Sequence, residues 1–466
     1  MSRRGSALIC LLALCACVGP RQVTPPAAKV VAPADWRWRA GPSAPLEALW
    51  WKAFSDPTLD GLVEQALANN PDIGQAAARV AQARAQARLA RAQRGPEINF
   101  QGIGGYTRVL EVTGPITTWG AEPQATVGFD LDLFGRLASA SAAARANLLA
   151  GEAARDAVSL AVASTTAIAY IQLLGFDERL RVARETLASR RAALTVAQRR
   201  AEFGYTSDLE VRQAEAEYRA TAQLVPSIEL AIGQQEDALA TLVGDPALIL
   251  ARAPRALDRL NTPAIPAGLP SELLRRRPDI VSAEDNLVAT DHTLDSARAA
   301  MLPSLSLTGS VGAIIASVLP NPQSIFLIGG SILAPLFDSG RRRAAADTAA
   351  GRRDEAAFAY RKTALQAFRE VNDGLVAADK LASQLIELRA QLDAQAGLLK
   401  VASDRYRAGY ASYLEQVDAE RLLLAGQLSL AQVRTQQLVS LVTLYEAMGG
   451  GWNVFRAGAP GRHGDR

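Results

Sequence analysis

Apolar and polar residues alternate in two-residue steps over a few short stretches of the chain, and recur in three- and four-residue steps over two very long ones. From Ala125, the run ATVGFDLDL puts Ala125, Val127, Phe129, Leu131 and Leu133 on one side and Thr126, Gly128, Asp130 and Asp132 on the other. In LSLTGSVGA, Leu305, Leu307 and Val311 oppose Ser306, Thr308 and Ser310. Such alternation predicts strands, and segments near ten residues suit either a tilted membrane strand or a soluble hairpin with one face on a core. EINFQGIGGY alternates less cleanly, and IFLIGGSILAPLF hardly does. The long stretches read differently. Proline is absent from Leu137 to Phe203 and from Arg341 to Ala408, and the first of these runs is long enough for roughly 100 Å of helix. Leu180, Ala183, Leu187, Leu194, Ala197 and Ala201 keep coiled-coil steps, with Arg190 taking one slot. The last helix keeps the same steps through Leu414, Val417, Arg421, Leu424 and Leu428 to Tyr445, and small residues in both seams allow close approach. Beyond the N-terminus, no uninterrupted apolar stretch is expected to approach membrane-spanning length.

The pattern is written twice. NNPDIGQAAARVAQARAQARLARAQRGPEINF, from Asn69, resembles RRPDIVSAEDNLVATDHTLDSARAAMLPSLSL, from Arg276, with Pro71 matching Pro278 and Pro96 matching Pro303. Gly204 in FGYTSDLE matches Gly409 in AGYASYLE, and Phe134 matches Phe337. Each copy therefore reads helix, two strands, long helix, turn, helix. This is a tandem duplication, not a short-period solenoid. Four strands per chain cannot close a barrel, because the smallest have about 8. An open sheet edge in lipid leaves backbone groups unpaired at several kcal/mol each. If the hairpins cross a membrane, the chain must oligomerise, and three copies supply twelve strands.

Composition and the N-terminus narrow the class. Lys and Arg number 50 against 47 Asp and Glu, so no basic field is available to gather nucleic-acid phosphates. Aromatic content is 6% and alanine is abundant, a mixture that suits long helices packed side by side. The opening MSRRGSALICLLALCACVGP has the parts of a secretory signal, with Arg3 and Arg4 before an apolar run too short to span a bilayer. All three cysteines, Cys10, Cys15 and Cys17, lie within it. Leu14, Ala16 and Cys17 resemble the lipobox of bacterial lipoproteins, although Cys15 stands where Ser or Ala is more usual. That resemblance implies lipidation of Cys17 as the first mature residue, and Val18 in place of Asp points to the outer membrane. Cleavage by an ordinary signal peptidase is the alternative.

Together, the lipobox, the duplicated halves and the paired hairpins look like the TolC/OprM-type outer-membrane factors, in particular the NodT-type efflux lipoproteins. The match is carried by RYRAGYASYLEQVDAERLLL (Arg405–Leu424), YEAMGGGWN (Tyr445–Asn453) and WWKAFSDPTLDGLVEQALANNPDI (Trp50–Ile73), and it covers about Ala34 to Asn453. It implies a fold that is mainly α with membrane β: an internally duplicated protomer forming a trimeric 12-stranded β-barrel continued by a long periplasmic α-helical barrel. It also implies the exit duct of a tripartite RND-type efflux pump. Its partners would be two further copies of itself, a periplasmic adaptor (a membrane fusion protein), an inner-membrane RND transporter and outer-membrane lipid. No cofactor or enzymatic chemistry is implied. The expected division is signal peptide 1–16, lipidated N-terminal segment 17–55, first repeat 56–262 (hairpin 97–133, helix hairpin 137–243), second repeat 263–452 (hairpin 304–336, helix hairpin 341–448) and disordered tail 453–466.

Four candidate sites follow. Gly204, Tyr205, Thr206 and Ser207, and again Gly409, Tyr410, Ala411 and Ser412, break the long helix pairs. Gly supplies the left-handed backbone of a helix end there, and Ser207 or Ser412 can cap the next helix. The resemblance adds that these tips meet the adaptor. It places a periplasmic gate on Leu414, Asp418 and Arg421, where the plain alternative is a surface ion pair. Asp130 and Asp132 are expected to line the pore. Arg341, Arg342 and Arg343 suit either lipid headgroups or a solvated face. His292 and His463 have no metal-ligand spacing around them, and GIGGY lacks a phosphate-loop context. A type I protein-secretion duct shares the fold, and a non-channel envelope scaffold would keep the coiled coils without needing membrane strands.

Overall fold

The computed structural model describes residues 24–38, 49–112, 114–264 and 270–450. The signal segment, Cys17 and the tail from 453 lie outside them. The helices are α1 (Pro57–Asn69), α2 (Pro71–Ala92), α3 (Arg136–Glu202), α4 (Asp208–Ala222), α5 (Leu224–Val243), α6 (Ala256–Arg259), α7 (Pro270–Arg276), α8 (Pro278–Ala299), α9 (Arg341–Arg407) and α10 (Tyr413–Ala447). The strands are β1 (Glu97–Glu111), β2 (Gly114–Leu131), β3 (Ser304–Ala316) and β4 (Gln323–Leu333). Helix α3 and helix α9 are each 67 residues long. The chain divides into two compact units, and each is described by itself.

The first unit takes in the described residues up to Val30 with Ala78–Ala153 and Ile280–Thr363. Its four strands form one antiparallel sheet in the order β1-β2-β3-β4. The register carries no bulge, and it sorts the side chains into two faces. Ile98, Val127, Gly309 and Ile328 form one row of the first face, and Phe100, Ala125, Val311 and Phe326 form the next. On the opposite face, Asn99, Thr126, Ser310 and Leu327 share a row, followed by Gln101, Gln124, Gly312 and Ile325. Polar partners meet across that second face: Gln101 donates to Gln124 at 3.2 Å, and the Ser306 and Ser331 hydroxyls lie 2.8 Å apart. Among the described residues, none in the four strands is buried. Phe100 is 78% exposed and Phe326 82%. A side chain of this kind left uncovered forgoes roughly 1.5–3 kcal/mol of burial.

Both exits from the sheet are pinned by an aspartate. Asp132 accepts hydrogen bonds from the Leu137 and Ala138 amides at 3.0 and 2.6 Å, closing the start of α3. Asp338 accepts from the Gly340 and Arg342 amides, both at 3.1 Å, and closes the start of α9. Free amides at a helix start favour a carboxylate there.

The second unit takes in the described residues of Val31–Ala77, of Ala154–Asp279 and from Ala364 onward. Its core gathers the fully buried Trp50, Trp51 and Phe54 with Tyr170 and Leu173 of α3, Leu239 of α5 and Leu438 of α10. Trp50 stacks on Tyr445 at 5.7 Å. Asp56 caps α1 and also accepts from the Tyr170 hydroxyl at 3.0 Å. Gly175 lets α10 close on α3, since a Cβ there would sit 2.3 Å from the Thr435 hydroxyl oxygen. One sequence expectation needs correction. Residues Ala157–Phe176 carry no charge, and α3 is long and apolar enough by composition to cross a bilayer. Most of its most apolar window is buried inside the protein, so this stretch serves the core.

Candidate functional site

At the first tip, Gly204 turns left-handed at φ 72, and the Tyr205 amide reaches back to the Arg200 carbonyl at 2.8 Å. The second tip repeats this, with Gly409 at φ 79 and the Tyr410 amide donating to the Arg405 carbonyl at 2.9 Å. This bond pattern closes a helix with a glycine just past its end. Ser207 then caps α4 by accepting from the Glu210 amide at 3.4 Å. Ser412 has the extended backbone of a cap, but its side chain makes no capping bond. Thr206 and Ala411 are half-buried, each between two exposed neighbours. Tyr205 and Tyr410 are 82% and 80% exposed, and Phe203 and Leu209 stand exposed beside Tyr205.

The two tips are joined within one chain. The Tyr406 hydroxyl and the Thr206 hydroxyl both donate to the Glu210 carboxylate, and Tyr406 packs on Tyr413 with ring centroids 5.5 Å apart. Arg200 lies over the Tyr406 ring at 6.0 Å. Burial pushes the Tyr406 phenol up to about 12, and the Glu210 carboxylate adds to the shift. Ala197, Ala214 and Val417 complete a small apolar cluster with Tyr413.

Directly behind the tips lies a cluster of five charges. Arg421 holds Glu217 of α4 through two nitrogens, with Nε at 2.8 Å, and also reaches Asp418 at 3.3 Å. Arg190 of α3 lies 2.6 Å from Glu420 and 3.4 Å from Glu217, with its side chain only 2% exposed. Its terminal nitrogens approach these carboxylates without hydrogen-bond alignment. Gln416 bonds the other side of Glu420 at 2.8 Å. Two guanidiniums thus face three carboxylates. Leu414, Asp418 and Arg421 are all exposed and, at steps of four and three, share one face of α10. The guanidinium buried in the helix seam is therefore Arg190. Arg421 stands at the seam's exposed edge and pairs with its own chain. Glu210, Glu217, Tyr406 and Glu420 carried no local signal in the sequence, because each meets a partner on another helix.

The two expected pore residues differ. Asp130 lies on the polar sheet face beside Ser306, half-exposed, with Arg136 at 3.4 Å. Asp132 directs both carboxylate oxygens to the start of α3. Among the described residues, no group of His, Cys, Asp and Glu could hold a metal ion.

Comparison with known proteins places this architecture. The sequence profile of the outer membrane efflux protein family matches twice, over residues 62–245 and 269–450, which is the internal duplication. The chain is 34% identical to the pyoverdine export outer membrane protein OpmQ of Pseudomonas aeruginosa over 443 residues, 92% of this chain and 93% of the relative. It is likewise 34% identical to the outer membrane protein OprJ of the same organism over 97% of this chain and 96% of that one. Among solved structures, the outer-membrane channel OprN superposes with a TM-score of 0.86 at 30% identity, covering 93% of this chain and 99% of that one. The open-state MtrE outer membrane channel of Neisseria gonorrhoeae gives 0.83 at 27% identity, covering 94% and 99%.

Proposed function

Because this chain belongs to the outer membrane efflux protein family, a family of outer-membrane channels and not of enzymes, we propose that three copies close one barrel and form a gated, passive exit duct. One observation carries the assembly. Among the described residues, the sheet ends in two unpaired edge strands, β1 and β4, and one of its faces is a continuous apolar surface that no described residue covers. In lipid that face is solvated by hydrocarbon, and β1 of one copy pairing with β4 of the next leaves no open edge. Three sheets give the expected twelve strands, with the polar face lining water. Asp130 belongs to that lining, whereas Asp132 serves the helix start.

The exposed Leu414, Asp418 and Arg421 form the periplasmic gate, braced by Glu217 and the buried Arg190 behind them. Asp418→Ala or Arg421→Ala loosens the exposed part of this cluster and raises single-channel conductance of the protein in planar bilayers. Unchanged current in both variants contradicts the assignment. The exposed aromatic residues around Gly204 and Gly409 are the docking points of a periplasmic adaptor that joins the duct to an inner-membrane RND transporter. Lipidation at Cys17 adds an anchor of about 0.8 kcal/mol per buried methylene. Relatives at similar identity are named for pyoverdine, toluene and antibiotic efflux, so the duct accepts many cargoes and the transporter selects among them.

A further inference from the structure

Where the sheet of the first unit meets its helices, the chain concentrates arginine. Helix α2 brings Arg88 and Arg91, and the turn between it and β1 brings Arg94, while α9 opens shortly after β4 with Arg341 and Arg343. All five are exposed, and none forms an ion pair with a described carboxylate. Two further arginines at this level are only loosely held: Arg136 lies 3.4 Å from Asp130, and Arg342 lies 3.7 Å from Asp338. Charge-assisted bonds are normally nearer 2.7–2.9 Å, so both guanidiniums can exchange partners at little cost.

Arg136 and Arg342 also share a cavity of ≈ 310 Å³ with Leu131, Phe134 and Leu305. Leu131 and Leu305 are register partners on the apolar sheet face. Beyond β4, Leu336 and Phe337 stand exposed. Asp130 and Asp132 also line the cavity. Asp132 is held by the amides that start α3, and among the described residues Asp130 pairs only with Arg136. An anion that enters between Arg136 and Arg342 therefore displaces Asp130 from Arg136 and meets apolar residues on its other side.

We propose that this cavity and the arginines around it bind the phosphate headgroups of anionic glycerophospholipids in the periplasmic leaflet. A headgroup phosphate sits between Arg136 and Arg342, with acyl chain against Leu131, Phe134 and Leu305. The unpaired arginines hold neighbouring headgroups. Guanidinium matches phosphate through paired N–H donors, and cation clusters beside membrane elements select anionic lipid. The proposal rests on the apolar sheet face lying in lipid.

The test is native mass spectrometry of the detergent-purified full-length assembly, loaded with equal amounts of phosphatidylglycerol and phosphatidylcholine. The expected result is at least fivefold preferential retention of phosphatidylglycerol, loss of that preference in the Arg136→Gln, Arg342→Gln double variant, and no displacement by millimolar inorganic phosphate. Equal retention of the two lipids overturns the proposal, as does undiminished preference in a correctly assembled double variant. Displacement by inorganic phosphate alone also overturns it, since the site would then be one for free anions. If the double variant does not assemble, wild type decides: retention that is unchanged between low and high salt overturns the proposal. A wild-type protein that is trimeric and conducting but shows no lipid preference removes this inference alone, whereas one that neither trimerises nor conducts removes the channel.

Discussion

Arg190 shows how much a single buried charge constrains the region behind the tips. Its guanidinium has left water, and Glu217 and Glu420 offset that cost. Glu217→Gln should leave Arg190 with one carboxylate and release Arg421 as well. The expected loss is about 1–3 kcal/mol, seen as a lower thermal midpoint. Asp418→Ala, removing an exposed pair, should cost less than about 1 kcal/mol. Equal effects of the two changes would contradict the division into buried brace and exposed gate. Glu446 gives a pH signature elsewhere in the second unit. Burial lifts its carboxyl from near 4.5 up to about 7, against the attraction of Arg277 and with the repulsion of Glu370. Arg277 is itself shared by Asp279 at 2.7 Å and Glu370 at 2.6 Å. Between those two pH values the folded chain keeps a proton that the unfolded chain has lost, so this group's contribution to stability falls as pH rises from about 4.5 to 7. Glu446→Gln should flatten that fall by about 2 kcal/mol, less than the full shift because the carboxyl keeps some solvent. Thermal midpoints at pH 5 and pH 8 check it, and an unaltered pH slope contradicts it.

The strands and helices differ in how far their partners could be read ahead of the structure. Alternation in β2 and β3 is clean because Asp130, Thr126, Ser306 and Ser310 mark the wet face. In β1 and β4 it is blurred because Ile103, Val109 and Leu327 lie on that same face, and only the cross-strand register assigns them. The faces can be told apart by charge. Val311→Arg should cost about 2–4 kcal/mol on a lipid face and reduce assembly, whereas Ser310→Arg should assemble normally and alter only the current. Similar assembly of both variants would contradict the face assignment. The long helices were legible from proline-free spacing, and Arg190 from its slot in the seam. Arg421 was not, because a straight helix drifts about 20° per heptad against a 3.5-residue repeat, and counting from Tyr445 carries that error to the tip. The Glu210–Tyr406 and Glu217–Arg421 contacts join residues about 200 apart in sequence, and no local pattern says which helix faces which.

At the scale of the molecule, duplication explains why one chain supplies an even sheet with two like hairpins and two like helix tips. It also explains why the chain stops short of a closed structure. The sheet's apolar face is a cost for a lone copy in water and its two free edges are a cost in lipid; a ring of three inserted in the bilayer removes both. The proposed gate, tips and lining require that ring, since a passage needs an enclosing wall. The most direct test is the protein mass of the purified assembly in detergent, measured by light scattering with the detergent contribution subtracted. Three chains per particle are expected. A stable single-chain particle with its four strands fully formed would contradict this.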